Sequence, residues 1–329
     1  MKAKLKGRLI LLAVYLFAFG LGFWVSTVSS YPILLKSAIA VGVIVTIIFL
    51  GSIDFNNSSV FDPYWSVAPF MMVLYYLVLV VNEQTLAGQS GGQGVVSIVT
   101  DATRLDLCSI RDRLLGSPRV IILMVLTLAY SARLTWNFLH GWPGLKHEDW
   151  RYVEFRKNSG KAYWVVSFLG IHLFPALMVF GGTLSIWVAV VKDLRPLNLL
   201  DILAMMVTGG AILLEAVSDR QLRKFMLKNR ETGKTMNMGL WSLSRHPNYL
   251  GEILFWWGLY LFALASNPLF WWVIIGPAAI TLMFLFASIP MIEKRMMVRR
   301  VDYGEYVKLV PMLIPWKVVT CHDFKSPPY

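Results

Sequence analysis

The sequence predicts an all-α fold, a polytopic transmembrane helical bundle of about 7–8 spans. Three observations predict it. Hydrophobic residues make up 57% of the 329-residue chain and charged residues only 15%. The apolar residues fall in unbroken blocks of about 18 or more, the length that crosses a bilayer core, and a soluble core could not bury such blocks on every face. Lysine and arginine gather in segments that fall on one side once the spans are threaded.

The chain opens with MKAKLKGR and an apolar run to Trp24. The length of that run, and the want of a clear small-residue cleavage site, favour a retained first helix at 9–28 over a signal peptide. Polar, Gly or Pro punctuation then bounds spans at 33–50, 64–82, 118–139, 163–191, 198–217, 249–266 and 268–291. Asp62 in DPYWS stands at the mouth of the third span, where an acid ahead of Pro63 suits a helix cap. The segment 84–117 begins Gly/Gln-rich and ends amphipathic, which reads as a flexible loop and an interfacial helix.

The fourth span carries AYSARLTWNF, in which Tyr130, Arg133 and Asn137 sit at i, i+3 and i+7 and share one helix face. The fifth is overlong, so part of it is expected to tilt or to lie outside the hydrocarbon. The sixth runs into EAVSDRQLRK. There Glu215 and Asp219 form a like-charge i,i+4 pair that a purely structural helix would disfavour, and Arg220 and Arg223 follow. Ahead of the seventh, GLWSLSRHPNYLGEILFWWG places Arg245, His246, Asn248, Tyr249 and Glu252 within eight positions. Behind the eighth, EKRMMVRRVDYGEYVKLVPMLIPW supplies Glu293, Arg299, Tyr303 and Tyr306 and reads on its own as a surface amphipathic helix or a basic, aromatic binding stretch.

Eight crossings put both termini on one side. With a cytosolic N-terminus, segments 1–8, 140–162, 218–248 and 292–329 carry 23 of the 31 Lys+Arg, so the net charge of +12 belongs to the cytosolic face. Topology and anionic lipid heads account for part of that charge. They do not explain the acids, amides and aromatic residues interleaved with it, and charged groups at span ends point by default to function. Cys108 and Cys321 have no metal or disulfide spacing, so no metal site is expected.

Arginines interleaved with tyrosines suit a phosphate-bearing cofactor with an aromatic base, taken from the cytosol, beside a hydrophobic substrate taken from the bilayer. No GxGxxG behind a strand and no Walker sequence is present, so the helices and their cytosolic loops must bind the cofactor themselves. No nucleic-acid-binding pattern is visible.

GLWSLSRHPNYLGE, WNFLHGWPGLKHEDWRY and DYGEYVKLVPMLIPW together resemble the steroid 5α-reductase superfamily, and specifically its DUF1295 type, which is related to sterol reductases and isoprenylcysteine carboxyl methyltransferases. The resemblance covers residues 60–316. It leaves 1–59 as two added transmembrane helices and 317–329 as a tail. It implies an NADPH-dependent membrane oxidoreductase that reduces a carbon–carbon double bond in a steroid or other lipid enone.

By resemblance, Tyr130 is the catalytic tyrosine and Asp62 its acid, with Glu83 as the alternative carboxylate. Asn248 and Glu252 hold the nicotinamide and ribose, Glu215 and Asp219 match the family's paired cofactor residues, and Arg220 or Arg223 its downstream arginine. Arg133, Asn137, Arg245, His246, Tyr249, Glu293, Arg299, Tyr303 and Tyr306 complete the expected cofactor set. An S-adenosylmethionine-dependent methyltransferase, which shares an RHPxYxG element, and a non-catalytic lipid-binding membrane protein are the alternatives. The expected location is the endoplasmic reticulum in a eukaryote or the inner membrane in a bacterium, with the cofactor on the cytosolic side.

Overall fold

The computed structural model describes residues 2–28, 31–89, 108, 111, 114, 116–229 and 233–316. Most of the expected 84–117 loop and interfacial helix, and the 317–329 tail, lie outside them. Every regular element among the described residues is helical. In chain order these are α1 (Lys2–Thr27), α2 (Ile33–Asp54), a 3₁₀ turn (Ser58–Val60), α3 (Pro63–Gln89), α4 (Pro118–Gly141) and α5 (Trp150–Ser159). Then come α6 (Tyr163–Val166), a π-helical segment (Ser167–Leu173), α7 (Phe174–Val191), α8 (Leu199–Lys228), the single turn α9 (Leu240–Leu243) and α10 (Pro247–Ser266). A 3₁₀ segment (Pro268–Ile274), α11 (Ile275–Met283), a π segment (Phe284–Ser288), α12 (Ile289–Arg299) and α13 (Tyr303–Leu309) close the series.

Among the described residues, eight stretches are long and apolar enough to cross a membrane, at the eight places the apolar blocks mark. Large apolar side chains such as Leu16, Val125, Leu213 and Phe286 face outward from them, as lipid contact allows and water would not. The chain is therefore a multi-pass integral membrane protein. Its overlong fifth span has a local cause. Gly160 (φ +51°) separates α5 from the helix that follows, and the π segment then widens one turn and buries His172. Several helices outrun their predicted ends, α2 to Asp54 and α3 to Gln89 among them. α8 continues to Lys228 and α12 to Arg299, because the Leu, Met, Lys and Arg that follow the apolar blocks are good helix formers.

By contacts the chain forms two compact units, Met1–Asn198 with Phe262–Gly276, and Leu199–Leu261 with Pro277–Tyr329. In the first, α3 is the central helix. Along α4 the residues Val120, Leu123, Thr127 and Tyr130 are all fully buried, the i, i+3, i+7 and i+10 positions of one stripe, and α4 packs against α3 and α7. Arg119 is ion-paired with Asp193, and around that pair Ser266 donates to Asp193 (3.1 Å), Asn267 to the Lys192 carbonyl (3.1 Å) and Asn198 to the Ala265 carbonyl (3.0 Å). In the second unit, α8 lies against α9 and the end of α12 against α13.

Candidate functional site

In the first unit, α4 carries Tyr130 into the interior with no exposed surface. Arg133 and Asn137 follow it on the same face, half-buried, and the Arg133 guanidinium carbon lies 6.0 Å from the centre of the Tyr130 ring. The stripe is thus realised as expected. The acid is not. Asp62 accepts a 2.5 Å hydrogen bond from Tyr152 of α5, with the guanidinium of Arg151 5.3 Å from the Tyr152 ring centre. Asp62 is thus paired with Tyr152, because the chain turns at Trp142–Asp149 and brings the start of α5 back to the residues just ahead of α3. Glu83 falls on α3 outside the residues whose side chains are described.

A second polar cluster in this unit uses residues that the sequence did not single out. Glu148 accepts from the Ser58 amide (2.8 Å), the Tyr163 hydroxyl (3.0 Å) and Arg156 (3.1 Å), and the Arg156 guanidinium lies 3.8 Å from the Tyr163 ring centre. Asn57 donates to the Leu145 and His147 carbonyls. Its donors and acceptors serve one another, so it fastens the 55–62 loop to the 145–163 segment. The HEDWRY stretch was its visible signal, since three charged groups and a tyrosine there sit between spans.

In the second unit the RHPNY segment is built from three sides. Gly239 adopts φ +61°, and a β-carbon there would come within 2.7 Å of the Gln221 amide, so only glycine lets the loop turn this close to α8. Gln221 accepts from the Leu240 amide (3.0 Å), and the Trp241 indole donates to the Ser218 carbonyl (3.1 Å). From the other side the Tyr306 hydroxyl donates to the Trp241 carbonyl (2.6 Å), and the Arg245 amide to the Pro311 carbonyl (2.9 Å). Pro247 then opens α10, where its missing N–H costs nothing.

This frame decides what each predicted residue does. Arg245 places Nε 2.9 Å from a Glu293 carboxylate oxygen, a close ion pair rather than an aligned hydrogen bond, and donates through a terminal nitrogen to the Val307 carbonyl (2.9 Å). His246 Nε2 is 2.9 Å from the same oxygen. A carboxylate only accepts, so Nε2 is the donor. The His246 ring stacks on Tyr249 at 5.4 Å and 9°, and Tyr249 leans on Phe284. Arg245, His246, Tyr249 and Glu293 are thus brought together and hold one another.

Glu215 is buried on α8 against Gly251, where an added β-carbon would lie 2.8 Å from its side chain and 2.9 Å from the Ala211 carbonyl. Glu252 accepts from the Trp256 indole (2.8 Å). Asp219 is half-buried, and Arg220, Arg223 and Arg299 are exposed. Among the described residues those three arginines have no carboxylate partner, and the half-buried Asn248 carboxamide has no hydrogen-bond partner.

Tyr303 and Tyr306 pack with Val310 into a small core beyond the last candidate span, 5.7 Å apart. They face inward, unlike the residues of a helix lying on a surface. Burial raises both hydroxyls above the ordinary tyrosine range, with the Glu293 carboxylate adding to the rise at Tyr303 and Tyr303 adding to that at Tyr306. A raised folded-state pKa means that this stability is fully present below the ordinary tyrosine pKa of about 10 and is lost as pH climbs past it toward the folded values. Alkaline unfolding followed by tyrosinate absorbance is expected to begin above about pH 10, and Tyr306→Phe is expected to flatten it. An unchanged alkaline limb in that variant would place the loss elsewhere.

The model of a family described as "Protein of unknown function (DUF1295)" matches residues 93–310. An uncharacterized protein of Schizosaccharomyces pombe is 29% identical over 182 residues, 49% of this chain and 53% of the relative. The chain thus spans about half the length of the curated relative it matches. No solved structure matches it.

Proposed function

The chain belongs to the DUF1295 family, within the steroid 5α-reductase superfamily, and from that premise we propose that it is a membrane reductase that uses NADPH to saturate the double bond of a hydrophobic enone. The observation that carries the reading is the set of uncommitted donors in the second unit. Asn248 offers a carboxamide without a hydrogen-bond partner, and Arg220, Arg223 and Arg299 offer guanidiniums without carboxylates, all among the described residues. That donor set fits a carboxamide-bearing, multiply phosphorylated cofactor, because guanidinium binds phosphate through two parallel hydrogen bonds. A cofactor of single positive charge would leave three arginines with nothing to neutralise.

When bound, the reduced nicotinamide would supply a hydride to the β-carbon of the enone, and a proton taken up from water at the α-carbon of the resulting enolate would complete the saturation. The chain's own part is electrostatic. The Tyr130 hydroxyl gives a hydrogen bond to the carbonyl oxygen, where negative charge gathers as the hydride arrives, and the buried setting strengthens that bond. Arg133, on the same face, keeps the surroundings of that oxygen positive. Arg245 and His246 are not free to clamp phosphate, since Glu293 holds both. Their part is to fix the loop that presents Asn248 and Tyr249, while Glu215 and Glu252 set the back of that segment. Asp62 orients Tyr152.

Cofactor titration of the purified protein tests the reading. Arg223→Ala and Arg299→Ala are expected to weaken NADPH binding tenfold or more, about 1.5 kcal/mol for one lost charge-assisted contact, and NADH binding less. Equal loss for both cofactors would move these arginines off the 2′-phosphate. A parent protein that binds S-adenosylmethionine and not NADPH would overturn the reductase reading.

A further inference from the structure

The first unit contains a cavity of about 710 Å³ between α1, α2, α3 and one end of α4. Its size lies in the range of small-molecule sites. The walls are almost wholly aliphatic and aromatic, with Phe19, Ile44, Val67, Met71 and Met72 among them. Its few polar groups are largely satisfied by the protein. Tyr15 donates to the Val60 and Phe61 carbonyls and Thr135 pairs with Ser66 at 2.8 Å, while the buried Tyr75 hydroxyl at the far end has no hydrogen-bond partner among the described residues. Such walls take a hydrocarbon chain and offer nothing to a sugar or a nucleotide.

The near end differs. Arg8 lines it, donates to the Leu139 carbonyl, and has no carboxylate partner among the described residues, while its buried Nε has no hydrogen-bond partner. Lys4, one turn away, donates to the His140 carbonyl (3.2 Å). Two cations therefore stand at the mouth of an apolar slot with only carbonyl partners. Between Arg8 and Phe23 the slot follows α1 for about 22 Å, at 1.5 Å per residue, long enough for an acyl chain. Leu9, Leu12 and Leu16 line it and are also exposed, so it opens sideways along α1 in the region that meets lipid.

We propose that this cavity binds one anionic phospholipid from the bilayer, with an acyl chain along α1 and α3 and its phosphate at Arg8. The open side lets the second chain remain among its neighbours. Charge complementarity selects an anionic head, since a zwitterionic one brings its own cation toward Arg8 and Lys4. Most of the walls come from α1, α2 and α3, ahead of the family-matched residues 93–310, so the site lies largely between the added N-terminal helices and α3. It does not rest on the reductase reading and is tested without cofactor.

The test is native mass spectrometry of the purified full chain in detergent, titrated with dioleoylphosphatidylglycerol or dioleoylphosphatidylcholine. The parent is expected to retain one phosphatidylglycerol at least tenfold more tightly than phosphatidylcholine, and Arg8→Gln to lose that preference. Gly20 lines the cavity, and a β-carbon there would meet no atom within 4 Å, so Gly20→Leu fills the slot without disturbing the backbone. That variant is expected to keep its circular dichroism and lose the lipid. Equal affinity of the parent for both lipids, or unchanged phosphatidylglycerol binding in Gly20→Leu, would overturn the proposal. Should Arg8→Gln fail to fold, Gly20→Leu decides alone.

Discussion

Tyr130→Phe is expected to lower turnover by about two orders of magnitude, the scale of removing one oxyanion or acid donor, while leaving NADPH affinity within a factor of about two. Only one oxygen is lost, and the ring still fills its fully buried place beside Leu123 and Thr127 on α4. Asn248→Ala should do the reverse, weakening the cofactor first. Tyr152→Phe is the needed comparison, because Tyr152 is the tyrosine that holds Asp62. Steady-state kinetics with a lipid enone separate the cases. If Tyr152→Phe falls a hundredfold and Tyr130→Phe does not, the donor role moves to the Tyr152–Asp62 pair.

Glu293→Ala is expected to be the most damaging single change to the second unit. Removing one partner from a buried ion pair costs roughly 3–5 kcal/mol, and the 19% exposure of the Glu293 side chain places this case toward the lower end. The loss strikes twice, since Arg245 and His246 share the same carboxylate oxygen. Glu293→Gln keeps one acceptor and should lose less. Thermal unfolding in detergent reads both variants. Equal melting of Glu293→Ala and parent would show that the Val307 and Pro311 carbonyls hold the RHPNY turn without the acid.

The spans were legible because an 18-residue apolar block has few other places to go. Their ends were less so. Hydropathy stops at the first charges, whereas the backbone of α8 keeps its helix to Lys228 and that of α12 to Arg299. Clustering in sequence did mark the RHPNY segment and the Tyr130 stripe, for residues on one helix face or in one tight turn stay together however the rest packs. Partners at long range were hidden. Tyr152 lies 90 positions from Asp62, and Glu293 lies 47 from His246, and neither pairing is written in any local period. Resemblance led to Tyr130 as the partner of the acid, and the return of the chain at α5 to the start of α3 gave Asp62 to Tyr152.

The Arg119–Asp193 cluster has a consequence in time. Arg119 is 1% exposed, yet the group that completes its surroundings, the Ser266 hydroxyl on Asp193, is encoded 147 positions later. A ribosome adding about 5–20 residues per second needs about 7–30 s to cover that distance. In about the second half of that interval the first unit is unfinished although α1 to α7 are already made, and the segment between, α8 with the RHPNY turn, emerges before it can close. Synthesis therefore interleaves the two units instead of completing them one after the other. A chain truncated after Asn198 would stop with the hydrogen-bonding side chains of Asp193 and Asn198 still waiting for Ser266 and the Ala265 carbonyl.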